Sequence, residues 1–201
     1  LQNLSGEEPC RLPTVASTGA FAAFICDKKL RKIDFSGTAY TLSVVGTLDD
    51  SRQKSLLKLH ASADLKIFSL YQNDTTQSSS PILDIYNSQT QQTSTLTYST
   101  IINSCPNIQF DPLSTTYGMD VYPHGAEAYT VFITNSKLGV LALSVTVKGN
   151  TMNLDHCFQY DITTAVMNAD NLPSTPLWEQ IKVLKIVNFN YVAFVRATNS
   201  F

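Results

Sequence analysis

Between residues 141 and 160 the chain alternates apolar and polar side chains with a period of two, broken only at Gly149-Asn150. Leu141, Leu143, Val145 and Val147 oppose Ala142, Ser144, Thr146 and Lys148. Beyond the Gly-Asn pair, Met152, Leu154, His156, Phe158 and Tyr160 oppose Asn153, Asp155, Cys157 and Gln159. Successive side chains of a strand point to opposite faces, so this pattern predicts two half-buried strands joined by a tight turn. Gly-Asn supplies the positive-φ position that such a turn needs. The same period recurs at Tyr40, Leu42 and Val44, at Leu65, Ile67 and Tyr71, at Leu96 and Tyr98, and at Tyr129, Val131 and Ile133. Around Ile67 the segment is apolar on both sides, because Phe68 and Leu70 fill the other parity.

A last pair, residues 181–187 and 191–197, reads as a hairpin closed by Asn188-Phe189-Asn190. Helix signals are short: residues 161–167 begin with an Asp cap, and 174–184 carry Pro176 and Glu179 near a start. Residues 117–125, with Tyr117, Tyr122 and His124, read as a loop before a strand. Residues 72–81 and 87–95 are rich in Ser, Thr, Gln and Asn and read as solvated loops or polar edge strands. Eight or nine strands at hairpin spacing predict an all-β, mainly antiparallel fold with one or two short helices. The architecture expected is a β-barrel of about eight strands, with a β-sandwich as the alternative. No composition shift divides the chain, so residues 1–201 are read as one domain, with 1–30 as an N-terminal arm.

Composition narrows the partners. The chain has 14 Lys+Arg against 16 Asp+Glu, and with no basic run singled out it is expected to offer no electrostatic footprint for a nucleic-acid backbone or an anionic membrane. Polarity comes instead from 20 Ser and 22 Thr. The longest apolar stretch, residues 12–26, is interrupted by Pro13 and Gly19 and falls short of the roughly 20 residues of a membrane span. Four cysteines stand far apart with no Cys-x-x-Cys, which favours disulfides over a metal site. Of the three pairings, Cys10–Cys105 with Cys26–Cys157 is expected, since a local Cys10–Cys26 bridge would leave two remote cysteines to find each other. The sequons at Asn3 and Asn73, and a first residue that is Leu1, fit a secreted glycoprotein.

His156 stands out because Leu154 and Phe158, two residues away on either side, place its imidazole on the apolar face. There it would hydrogen-bond a ligand or ligate a haem iron, or serve as a core histidine bonded to a carbonyl. Cys157 points to the opposite face, so the adjacent pair does not make a nucleophile and base. Tyr40, Tyr71, Tyr98, Tyr129 and Tyr160 would add hydroxyls to the same interior beside Phe158, and Tyr117, Tyr122 and His124 would form its rim. His60 suggests only a surface or strand position. No Gly-x-Ser-x-Gly elbow, phosphate loop, dinucleotide fingerprint or His-Glu-x-x-His occurs, so no catalytic residue is assigned and no enzyme is expected.

The segment Asp34-Phe35-Ser36-Gly37-Thr38-Ala39-Tyr40 resembles the opening strand of the lipocalins, with Ala39 where that family has tryptophan. Ile133-Thr134-Asn135-Ser136 before the strand 140–147 resembles the family's second conserved segment. Two widely spaced disulfides are similar to those of secreted invertebrate lipocalins. The resemblance implies a calyx carrying a small hydrophobic ligand: a pigment, lipid or haem. The competing expectation is a β-sandwich with a solid core that meets a protein or glycan through its surface. Self-association is left open by both.

Overall fold

The computed structural model describes residues 10–35, 37–72, 79–108, 116–125, 127–135, 139–160, 177–186 and 189–198. Three four-stranded antiparallel meanders follow one another along the chain. The first sheet holds β1 (Arg11–Val15), β2 (Phe21–Cys26), β3 (Lys29–Asp34) and β4 (Thr41–Thr47). A short helix, α1 (Asp50–Ser55), leads to the central sheet of β5 (Leu56–Ala61), β6 (Lys66–Tyr71), β7 (Pro81–Asn87) and β8 (Gln92–Thr97). After α2 (Tyr98–Ser104) comes the third sheet, β9 (Thr116–Pro123), β10 (Ala128–Asn135), β11 (Gly139–Lys148) and β12 (Thr151–Tyr160). A separate hairpin, β13 (Leu177–Ile186) with β14 (Phe189–Thr198), runs beside β9 and β10.

The central sheet is sandwiched between the other two. From β6, Ile67 and Tyr71 enter one core with Phe21, Ile25, Leu30 and Val45 of the first sheet. Phe68 and Leu70, of opposite parity, enter a second core with Val131, Leu141 and Leu143 of the third. Both faces of β6 and β7 are therefore buried, as a near-continuous apolar run requires. Fully burying each of the larger aliphatic side chains contributes about 1.5–3 kcal/mol. The fold is all-β with two short helices, and none of the three four-stranded sheets closes on itself among the described residues. The expected eight-stranded barrel is not what these strands form: a barrel has one interior, whereas this chain fills two.

The hairpin at Gly149-Asn150 is present, with Lys148 opposite Thr151. Gly149 takes φ +58, the first central position of a two-residue turn of the II′ type. Gly46 serves a different need, since a Cβ there would come within 2.8 Å of the Tyr86 ring. The first sheet can approach the central one only because that side chain is missing.

Several expectations change. Residues 117–123 are strand, not loop, and Leu177–Ile186 is strand where residues 174–184 suggested a helix start. β-Branched Ile181, Val183 and Ile186 favour the extended ladder over the weak helix signal. The alternation at Leu96 and Tyr98 stops at Thr97, whose hydroxyl caps α2 by accepting from the Thr100 backbone N–H at 3.4 Å. Residues 161–167 lie outside the described residues.

The cysteine pairing is corrected to Cys10–Cys26 and Cys105–Cys157. β1 and β2 turn back at Gly19, φ +71, and Arg11 faces Ile25, so Cys10 and Cys26 lie side by side with Cα atoms 4.4 Å apart. The remote pair is not orphaned, because β12 brings Cys157 to the C-terminus of α2, Cα to Cα 6.3 Å. Such bridges belong to an oxidising compartment. No helix among the described residues is long and apolar enough to cross a membrane. Peptide mapping of non-reduced protein should recover the two pairs as cross-linked fragments. Fragments joining Cys10 to Cys105 would contradict this topology.

Candidate functional site

The side chains expected to line one interior are dispersed. Along β12, Leu154 faces Val145 and His156 faces Ser144, leaving Asp155 as an extra residue. This bulge reverses the parity of all that follows. Leu154 and Cys157 face the core, while His156 is exposed and Phe158 is 55% exposed. His156 is thus not on the apolar face. Tyr40 is 79% exposed on the outside of the first sheet. Tyr98 heads α2 and packs half-buried against the second core. Tyr129 does point inward, but its ring is fully buried edge-on against Phe68 at 5.2 Å and its hydroxyl donates to Asp64. Tyr122 and His124 meet edge-on, ring centroids 5.1 Å apart, near the end of β9, where the His124 ring shares a 2.5 Å hydrogen bond with the Thr130 hydroxyl. The side chains of Tyr117 and Tyr160, and Asn3 and Asn73, lie outside the described residues.

Two of the expected residues do converge, on the outside of the molecule. His156 and Phe158 border a shallow pocket of about 250 Å³ whose far wall is residues 104–108, with the Cys105–Cys157 bridge between. Their rings lie 6.4 Å apart.

The densest polar cluster was not anticipated. Asp84 is fully buried on β7, facing the first sheet. One carboxylate oxygen accepts from the Tyr71 hydroxyl at 2.9 Å, Arg52 Nε at 2.9 Å and the Tyr86 hydroxyl at 3.3 Å. The other accepts from the Thr95 hydroxyl at 2.6 Å. Arg52 also reaches Asp49, the N-cap of α1, at 2.8 Å. Burial would lower the Arg52 pKa, but the Asp84 charge overrides it and keeps the guanidinium protonated. Burial first, then the Asp84 charge, push Tyr71 and Tyr86 well above the ordinary tyrosine value. Tyr129 moves the same way, through burial and its bond to Asp64. Asp49 is lowered, chiefly by the Arg52 backbone N–H. A carboxylate with no exposed surface and four donors has no access to a substrate, so this cluster holds the sheets together. The signal for α1 was present in Asp49-Asp50-Ser51, a cap followed by an acidic first turn.

His60 also has more of a role than its sequence context suggested. Its Nδ1 lies 3.2 Å from Asp120 Oδ1 on β9, and its ring meets Phe68 edge-on at 6.2 Å.

The outer face of the first sheet has a different character. Partners across antiparallel strands share a face, so Val15, Ala22, Ile33 and Leu42 form one row over four strands, and Phe24, Arg31 and Val44 form the next. Val15, Phe35, Tyr40, Leu42 and Val44 are 43–79% exposed. Arg31 stands among them with its Nε buried and without a hydrogen-bond partner, and Lys29 follows on the same face of β3. The signal was the basic run Lys28-Lys29-Leu30-Arg31-Lys32, which the near-neutral overall charge conceals.

No protein-family model matches the chain, and no curated protein matches it.

Asp84→Ala removes the acceptor of Arg52 Nε and of the Tyr71, Tyr86 and Thr95 hydroxyls, and is expected to cost about 3–5 kcal/mol in urea unfolding. The tyrosines set an alkaline limit. An acid whose pKa is raised by folding loses its proton first in the unfolded chain, so stability is intact below about pH 10 and falls as pH rises above it. Tyr71→Phe removes one such group, and the decline should become shallower by about half a proton at pH 10, approaching one proton's worth above about pH 11.

Proposed function

We propose that this chain is a secreted contact module. Its filled sheet stack is a rigid support, and the outer face of the first sheet, ending at the β4 edge, binds an extended segment of a partner protein. The observation that carries this reading is the gathering of five large exposed apolar side chains on that one face. Contiguous apolar surface of this kind marks a site of association. β4 is an outermost strand of its sheet, and its sequence Thr-Leu-Ser-Val-Val-Gly-Thr has none of the charges or prolines that blunt such edges. A partner strand added there would bring apolar side chains against Leu42 and Val44. The unpaired Arg31 Nε and nearby Lys29 call for a carboxylate on the partner, so the partner is an acidic, apolar strand. Secretion is supported by the two disulfides.

The carrier reading draws on one observation, the pocket bordered by His156 and Phe158, and the lipocalin-like calyx would need that pocket or an interior to take a greasy guest.

A synthetic peptide alternating valine and glutamate separates the readings. Fluorescence anisotropy should show it binding the wild type, at least about tenfold weaker binding to Val44→Lys, and weaker binding to Arg31→Gln. The Arg31→Gln loss should vanish for a valine–serine peptide. Equal binding by wild type and Val44→Lys removes the contact face. A hydrophobic dye taken up equally by wild type and Val44→Lys, but lost in His156→Ala, points to the carrier instead.

A further inference from the structure

Four hairpin connections meet at one end of the two-layer unit formed by the central and third sheets: β5–β6, β7–β8, β9–β10 and β11–β12. They are tied to one another. Ser88 donates to the Leu65 carbonyl from its hydroxyl at 2.7 Å and its N–H at 3.1 Å. The Ser94 hydroxyl donates to the Gly149 carbonyl at 3.3 Å, and the Val147 N–H to the Glu127 carbonyl at 2.7 Å. Between them lies a cleft of about 190 Å³, fixed in shape by those bonds and smaller than the roughly 300–1,000 Å³ of sites for drug-sized ligands. It holds one ring, not a chain.

Its lining is matched to a particular chemistry. Asn87 Oδ1 is occupied by the Gln89 and Thr90 N–H groups at 3.0 and 3.3 Å, which leaves the Asn87 NH₂ to donate. Gln92 Oε1 accepts from the Thr90 hydroxyl at 3.3 Å, which likewise leaves its NH₂. Lys66 is a further donor, and Glu127 is an acceptor. The two line the same cleft yet form no salt bridge with each other among the described residues. Ile85 and Val147 add apolar surface to the same lining. A ligand that suits it offers several acceptors and at least one donor around a compact ring with an apolar C–H face. A sugar meets each condition, because every hydroxyl both donates and accepts. We propose that this cleft binds a single monosaccharide unit of a glycan. The site is separate from the face of the first sheet and does not depend on it.

The test is saturation-transfer NMR on the full chain with methyl glycosides of glucose, galactose, mannose and N-acetylglucosamine, and with glycine as a small zwitterion that would bridge Lys66 and Glu127. At least one glycoside should bind, with Kd on the order of 1 mM. Gln92→Ala and Glu127→Ala, both at exposed side chains, should each weaken it about five- to tenfold at unchanged melting temperature, as loss of one hydrogen bond predicts. Val44→Lys should leave it unchanged. Binding of no glycoside, binding indifferent to both cleft variants, or binding of glycine alone would overturn the assignment.

Discussion

The central sheet has two apolar cores and one carboxylate between its layers, and the stack depends on how that charge is housed. β6 and β7 bury both faces, so a charge there is tolerable only if its partners lie within the protein. Asp84 draws one donor each from β6, β7, β8 and α1: Tyr71, Tyr86, Thr95 and Arg52. A half-satisfied cluster would be worse than an apolar one, whereas a complete one fixes strand register and helix position together. Arg52 spans Asp84 and the α1 cap, so the helix is oriented by the buried charge it neutralises. The Tyr86 ring then occupies the space left by Gly46, which joins this polar knot to the packing of the first sheet.

Alternation made the strands legible because it is a local property. The β11–β12 hairpin could be read from twenty residues, and the double-sided apolar run at Ile67–Tyr71 already contained the central layer. What the period cannot reveal is a single inserted residue. At Asp155 one bulge moved His156 and Phe158 from core to solvent. The spacing was a clue: Leu154 and Cys157, both packed against the core, are three apart, which an unbroken strand cannot place on one face. The disulfides failed for a related reason. Counting pairs ignored that Cys10 and Cys26 stand symmetrically about the turn at residues 17–19, the arrangement of hairpin neighbours. The Asp84 cluster was illegible because its members come from residues 52, 71, 84, 86 and 95 and meet only once three strands and a helix are in place.

The two-layer unit of central and third sheets has two long sides, and each is clasped by chemistry other than a ladder. On the side of β8 and β12 the clasp is Cys105–Cys157, reached through α2. On the side of β5 and β9 it is His60 against Asp120. A covalent link over 52 residues restricts the unfolded chain, while the polar contact acts only in the folded one. Together they hold the sheets in one alignment, so the hairpin connections at the end of the unit keep a constant relation.

That rigidity bears on where binding chemistry can reside. With both interiors occupied by side chains such as Phe68, Tyr129, Leu143 and Ile67, the groups left for recognition are those the layers present outward. The outer face of the first sheet offers apolar area and the basic Arg31 and Lys29; the hairpin end offers amides, two hydroxyls and one charge of each sign. The first suits a strand, which supplies its own ladder and alternate side chains. The second suits a small hydroxylated ring, which needs donors and acceptors in fixed places. A preformed scaffold would spend little ordering entropy on either proposed ligand, which is the condition under which a modest number of contacts suffices for weak association.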